Sequence, residues 1–528
     1  MMLTLSVGVG IDTGSAVIGA MGDGAKSEVP ALGDTTSIAA RREAPLDVDP
    51  GTRPQRTWMW LLVVAFAVRL AALLLTIDIP GDGPTHAMIA YNWSRSPHWA
   101  SSGTWLPGFT YFAGAMTFVV NDPLVAPRLL NLILGSLTVP VFFALVQHIH
   151  GSEVALLSAA MLVTLPLHIG LSVSSLTEVS YVFEIMVAAL CIVRASRTNS
   201  ASSLYLGLFV VSLAMAEMTR YEAWVLAPLL LTYNAWQRRN VRLTVGMGVV
   251  VLAFPFLWSV GNYRDFGDAF YGFTAAAKPL EGAHPSDAGT AVTIIARQMA
   301  GHLGWILPIA ALLGLGVTVL RLISRRAVAA EVCLLLLIGA AWVIVFRHAM
   351  DLGRGFWDRY SILAYVALLP FAALGYGRCF GLKRKRLVLG AVTLSGTMLA
   401  AYVSSNRAVF VTQKQPSEMI EIANWLRSGV HDRDAVLLTK MSWESSYLPL
   451  YLPQLSGRYL IVSPWASDDA LRNFVRDQKP LLITRAADAE DRARIERVVG
   501  ITISGASRVH TAGEAEVYSL APLVANGR

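Results

Sequence analysis

Apolar stretches close to the length of a bilayer crossing recur along this chain, at about 58–77, 105–120, 129–147, 154–170, 179–193, 204–219, 222–236, 243–260, 302–320, 328–346, 361–378 and 387–405. A helix of about 20 apolar residues crosses the ~30 Å hydrocarbon core of a bilayer. In lipid every backbone polar group must be satisfied internally, so a chain built this way folds as a helical bundle. Composition agrees: 54% of residues are hydrophobic and 15% charged, where a soluble chain carries roughly a quarter charged. The formal charge of +7 sits mostly in short clusters between apolar segments. Such clusters set topology, and they do not point to nucleic acid. Cys191, Cys333 and Cys379 lie in or beside apolar segments without metal-ligand spacing, so neither a metal site nor a disulfide framework is indicated.

Charge corrects the number of crossings. Residues 1–56, rich in Gly, Ala, Ser and Asp, read as a disordered cytoplasmic tail rather than a cleaved signal peptide. If all twelve segments then crossed, the basic clusters at 194–197, 238–242, 321–326 and 383–386 would fall outside, against the positive-inside rule. One non-spanning segment before residue 194 repairs all four. The weakest candidate is 105–120, which is short, opens Trp105-Leu106-Pro107-Gly108 and contains Gly114. Laid flat on the outer surface, it leaves about eleven spans over 57–405 and a large outer loop at 78–127. The expected fold is therefore a polytopic α-helical membrane protein of the plasma or inner membrane, with juxtamembrane helices in its first outer loop. A second outer loop falls at about 261–301, and 406–528 form an extracytoplasmic α/β domain. In that domain, helical signals at 418–429, 468–477 and 488–499 alternate with extended runs at 434–439, 459–463 and 481–484, implying a mostly parallel sheet. No Gly-rich phosphate loop occurs in it.

Charges at membrane depth are costly, so their placement is informative. Here they gather at outer helix ends. Asp82 follows the first span in Gly81-Asp82-Gly83-Pro84-Thr85-His86, where the plainer reading is a helix N-cap. Glu178 stands at the outer end of the fourth span, with Glu184 about two turns deeper and facing the bundle interior. Glu217 and Arg220 have the spacing of a local ion pair, which leaves Tyr221 and Glu222 unexplained. The largest anomaly is 347–360, where Arg347, His348, Arg354, Arg359 and Tyr360 crowd a short outer loop. Asp351 and Asp358 can neutralise two of the arginines in a solvated loop. The alternative is an anionic ligand at the bilayer surface, since guanidinium forks suit phosphate and Gly353 and Gly355 would let backbone approach it. Acidic Asp82 and Glu178 and basic Arg220, Arg354 and Arg359 thus converge on one outer-facing cavity. One carboxylate there could deprotonate a hydroxyl while arginines stabilise a phosphate leaving group.

At these residues the chain resembles the GT-C superfamily of polyprenyl-phosphate-sugar glycosyltransferases. It is most similar to the branch of protein O-mannosyltransferases, the lipid A aminoarabinose transferase and lipopolysaccharide-core transferases. The resemblance spans 58–405 and rests on the order of short motifs. These are Gly81-Asp82-Gly83, the segment at 105–108, Ala126-Pro127-Arg128-Leu129-Leu130-Asn131, Leu176-Thr177-Glu178, Thr219-Arg220-Tyr221, and Asp358-Arg359-Tyr360 followed by Pro370. The resemblance implies that Asp82 is the catalytic base. Many relatives carry Asp-Glu there; this chain has Asp82-Gly83, so a second carboxylate would come from elsewhere, such as Glu178, with His86 assisting.

The resulting expectation is an inverting glycosyltransferase. Arg220, Tyr221, Arg347, His348, Arg354, Arg359 and Tyr360 would bind the lipid phosphate and sugar, with no nucleotide and no required cofactor or metal. Its partners would be membrane lipid, the donor, and a glycan, lipid or protein acceptor. Two rivals stand beside it. A secondary transporter would show repeated halves with a midplane site, and a non-catalytic assembly protein would work through its soluble domain.

Overall fold

The computed structural model describes residues 54–76, 82–197, 202–276, 285–324, 329–353, 356–405, 417–428, 434–439, 447–455, 458–462 and 467–522. All but the last three residues of the expected tail, and also Arg354, lie outside this set. Long apolar stretches become helices as required: α1 Pro54–Leu75, α4 Ala126–His150, α5 Ser152–Thr164, α6 Pro166–Ser172, α7 Glu178–Ala195, α8 Ser202–Thr219, α9 Glu222–Arg238 and α10 Val241–Phe266. After the short α11 Tyr271–Ala276 come α12 Ala288–Leu303, α13 Ile306–Ile323, α14 Ala329–Leu352, α15 Ile362–Phe380 and α16 Arg384–Ser404. The first loop contributes α2 Asp82–Arg95 and α3 Gly108–Thr117.

Among the described residues eight helices are long and apolar enough to cross a membrane, and the bent pair α5–α6 makes up to nine. The chain is an integral membrane protein. The 60° bend of that pair has a local cause. Leu165, preceding Pro166, is driven out of the helical region and sits extended at φ −66°, ψ 108°. Two expected spans fall short of the same measure: α7 carries Glu178, Glu184 and Arg194, and α9 has 17 residues. The expected eleven is reached only by adding both. The segment 105–120 yields α3, whose ten residues rise only about 15 Å, half the hydrocarbon core. The expected loop at 261–301 holds the end of α10, all of α11 and most of α12, so it is largely helical among its described residues.

Small residues let two central helices meet backbone to backbone. A Cβ on Gly375 of α15 would overlap the Ala310 carbonyl of α13, and one on Gly314 would overlap that of Phe371. Such contacts drive helix association in lipid, where apolar burial does not. Gly375→Ala is expected to cost about 1–3 kcal/mol through overpacking, read as a lower thermal unfolding temperature. Gly316→Ala, with nothing within 4 Å of its Cβ, is the control. Equal melting of both variants would contradict this account.

The C-terminal domain contains α17 Ser417–Arg427, β1 Val436–Leu438, α18 Leu448–Tyr451, β2 Tyr459–Ile461, α19 Asp468–Gln478, β3 Leu481–Arg485, α20 Ala489–Val499, β4 Ser507–Ala512 and β5 Ala515–Ser519. The sheet order is β2-β1-β3-β5-β4. β1 pairs with β2 and β3 in parallel, while β5 runs antiparallel to β3 and β4. The expected helices and three strands are present, but the sheet is mixed rather than mostly parallel. The β4–β5 hairpin turns at Gly513, φ +55°, and its strand β4 is largely exposed, so no apolar run marked it. The sheet is covered on both faces. Met419, Ile422 and Leu426 of α17 pack on one side, and Leu471 and Val475 of α19 with Ile495 and Val498 of α20 on the other.

Candidate active site

Helix ends set the site. The Ala126–Asn131 motif opens α4, and its polar side chains hold the loop that precedes α7. Arg128 donates to the Val173 carbonyl at 2.6 Å and to that of Thr76 at 2.8 Å. Asn131 donates to the carbonyls of Ser174 at 2.7 Å and Leu176 at 2.6 Å, and accepts from Ser180 at 3.0 Å. Thr177 and Glu178 are thereby fixed at the start of α7. Arg220, at the break between α8 and α9, reaches them, donating to Thr177 Oγ1 at 3.0 Å and Glu178 Oε1 at 2.7 Å. Its other edge is bidentate on Glu222, which opens α9, at 2.6–3.1 Å.

Arg359 enters from the 3₁₀ turn Asp358–Ser361. Asp358 accepts from His302 of α12 at 2.7 Å, anchoring that turn. Arg359 pairs with Asp82, and its Nε lies 3.5 Å from Glu178 Oε1. Asp82 is the first residue of α2, where a carboxylate complements the helix dipole. The Tyr360 ring lies 5.6 Å from the Arg220 guanidinium and 5.3 Å from that of Arg359, and stacks on His348 at 5.1 Å. His348 in turn lies 3.7 Å from Glu222.

Glu178, Tyr181, Arg220, Glu222, Arg359 and Tyr360 line a single opening. Inside it Glu178 Oε2 and the Tyr181 hydroxyl are buried without a hydrogen-bond partner among the described residues. Two guanidinium groups meet three carboxylates, so the arginines are already neutralised from within the chain. Burial pushes the Asp82 carboxyl up, but the Arg359 charge and hydrogen bond, with His86 and Arg220 adding, hold it below the usual carboxylate range. His86, one turn on from Asp82, lies beneath Trp105 at 4.7 Å and beside Phe109 at 5.9 Å. Burial lowers its pKa to about 4, the nearby Asp82 and Glu178 charges resisting the shift, so the ring is neutral at pH 7.

Of the residues expected from sequence, Asp82, Glu178, Arg220, Arg359 and Tyr360 are brought together, with His348 at the rim and His86 beside them. Tyr221 turns away. Its hydroxyl donates to the Thr104 carbonyl at 3.1 Å and accepts from Trp258 Nε1 at 3.2 Å, tying the first loop to α10. Arg347 is 71% exposed and pairs with Asp351 at 2.8 Å, the solvated alternative for that arginine. Glu184 is buried and faces the interior as expected, accepting from Thr219 at 3.2 Å. The expected Glu217–Arg220 pair does not form: both Glu217 oxygens are buried without a partner among the described residues. Sequence reasoning left Glu222 unassigned and passed over Tyr181, although Tyr181 follows Glu178 at i+3 on one helix face. His302, 56 residues before its partner Asp358, gave no local signal. Among the described residues no group of three or more His, Cys, Asp or Glu side chains could hold a metal ion.

Residues 106–260 match the family model of dolichyl-phosphate-mannose-protein mannosyltransferases. No curated protein matches the chain significantly. Among solved structures the fold is similar to ArnT of Cupriavidus metallidurans in the apo state, 13% identical, covering 89% of this chain and 99% of that one, TM-score 0.63. The same protein bound to undecaprenyl phosphate gives 12% identity, the same coverage and the same TM-score. An Archaeoglobus fulgidus oligosaccharyltransferase tethered to an acceptor peptide is similar at 11% identity, over 88% of this chain and 74% of that one, TM-score 0.55. The family model and these folds are those of the GT-C superfamily, in agreement with the resemblance carried by the motifs.

Proposed function

We propose that this chain is a membrane glycosyltransferase that moves a sugar from a polyprenyl-phosphate donor to an acceptor hydroxyl on the extracytoplasmic side, with inversion. The observation that carries the reading is the cluster at the helix ends in which Asp82 pairs with Arg359, and Glu178 and Glu222 hold Arg220 beside an opening that Glu178, Arg220, Glu222 and Arg359 line. The match to a polyprenyl-phosphate-dependent family over 106–260 supports the donor class. That an ArnT fold of this kind binds undecaprenyl phosphate supports it further.

The geometry suggests how the parts work. The donor phosphate competes with Asp82 for the Arg359 fork, since guanidinium groups bind phosphate and carboxylate alike. Once the phosphate takes that fork, Asp82 loses the partner that depresses its pKa and becomes a better base. The acceptor oxygen attacks the anomeric carbon and passes its proton to Asp82. The bond from that carbon to the phosphate oxygen breaks, and polyprenyl phosphate leaves with the electron pair, its charge met by Arg359. Arg220, locked between Glu178 and Glu222, holds the walls of the opening. The N-terminus is cytoplasmic in this reading, as the basic clusters require, and α7 and α9 complete eleven spans.

The test uses the full chain in lipid nanodiscs with a panel of polyprenyl-phosphate sugars. Release of polyprenyl phosphate dependent on an acceptor is expected with at least one donor, with inverted anomeric configuration in the product. Failure of every donor lipid to bind would defeat the reading, and retained configuration would defeat the single-displacement mechanism.

A further inference from the structure

Helix α2 has two faces. Asp82 and His86 share one; Ala87, Met88 and Tyr91 lie roughly 140–240° further round, at about 100° per residue. That rear face is covered by the C-terminal domain. Ala87, Met88, Tyr447 and Leu450 form a buried cluster, each at most 2% exposed, with Tyr91, Leu124 and Tyr451 packed against it. The flank of α2 rests on α3, where Ala90 meets Phe109 and Ala113, and where Gly114 leaves room for the Trp93 ring.

The covering piece is the short α18 in the connection between β1 and β2. Its residues divide between two cores. Leu448, with Leu452 and Leu455 just beyond, enters the core under the sheet beside Val436, Leu438 and Ile483. Tyr447 and Leu450 point the other way, onto α2. A single turn is thus fixed by the sheet on one side and presses the active-site helix on the other.

We propose that the C-terminal domain is a positioning element of the active site: through Tyr447 and Leu450 it seats α2 and thereby sets the reach of Asp82 to Arg359. No residue of this contact touches the opening. Its effect on chemistry travels through the rigid helix, and a misplacement near 1 Å can cost about 10²-fold in rate. The catalytic arm of this inference rests on the proposed glycosyltransferase function; the structural arm does not.

The experiment compares Leu450→Ala and the volume-conserving Leu450→Met with wild type, as full chains in nanodiscs. Amide exchange of α2 and β3 is followed beside kcat and KM for the donor. For Leu450→Ala, exchange in α2 is expected to quicken about tenfold with β3 unchanged. In the same variant kcat should fall at least about tenfold while the donor KM stays within about twofold. Leu450→Met should restore both. Unchanged exchange in α2 overturns the proposal, as does equal loss of protection in β3, which would make Leu450 a core residue of its own domain. A wild-type kcat with a loosened α2 overturns it too. If wild type transfers from no donor, the exchange arm still decides the seating of α2, and the enzymatic reading fails separately.

Discussion

Asp82→Asn is expected to lower turnover by about 10²–10⁴-fold, the usual contribution of a positioned general base. Donor binding should hold or tighten, because an amide competes less than a carboxylate for Arg359, and thermal unfolding should stay near wild type. The amide keeps the shape and the hydrogen bond to Arg359, and at one-third exposure the lost charge is partly compensated by solvent. Transfer at the wild-type rate would remove Asp82 from the chemistry. The pH dependence offers a second reading of the same residue. A base works ionised, so the rate falls as pH drops through its pKa, and in the donor-free site that pKa lies below the usual carboxylate range. kcat/KM reports the free enzyme and kcat the donor complex. If the phosphate takes Arg359 away from Asp82, the acid limb of kcat lies at higher pH than that of kcat/KM. Coincident limbs would mean that the pair survives donor binding.

Arg220→Met is expected to destabilise the membrane domain more than any other single change in the cluster. Its guanidinium joins Glu178, 2% exposed, to Glu222, 13% exposed, and bonds Thr177 as well. Removing one partner of a buried pair costs about 3–5 kcal/mol, because the carboxylates left behind keep their desolvation penalty without the compensating charge. Replacing the carboxylates too, as Arg220→Met with Glu178→Gln and Glu222→Gln, should recover much of the loss. The midpoint of thermal unfolding in detergent decides: a single variant that melts with wild type, or a triple variant that melts below the single one, would show that the network does not hold the helix ends together.

What could be read from the sequence divides along physical lines. Apolar length and the sign of loop charges are local properties, and they set the segment of α3, ten residues long in the structure, apart from the longer apolar helices. The residues of the cluster were legible because charges near lipid are rare and each needs a reason. Their partners were not. Arg359 was expected to hold a phosphate, but its fork rests on Asp82, a pairing across 277 residues that no spacing encodes. Glu222 stood out but was given no role, because the i,i+3 spacing of Glu217 and Arg220 offered the arginine a different partner. Strand β4 escaped because an edge strand with exposed side chains lacks the alternation that marks buried strands, and the inner β5 buries only Ala515 and Val517. The division of labour within α18 was equally out of reach, since four residues cannot announce that they belong to two cores.

The separation between Asp82 and Arg359 also bears on how the protein is made. Helices enter the membrane in chain order, so α2 is delivered long before the turn that carries Arg359. Until α15 docks, Asp82 lacks Arg359, while Arg220 already has Thr177, Glu178 and Glu222. The Asp82–Arg359 pair is thus among the last contacts of the bundle to close. A ribosome-bound chain ending before residue 357 would leave Asp82 without Arg359, which makes the formation of this one ion pair a reporter of completed assembly.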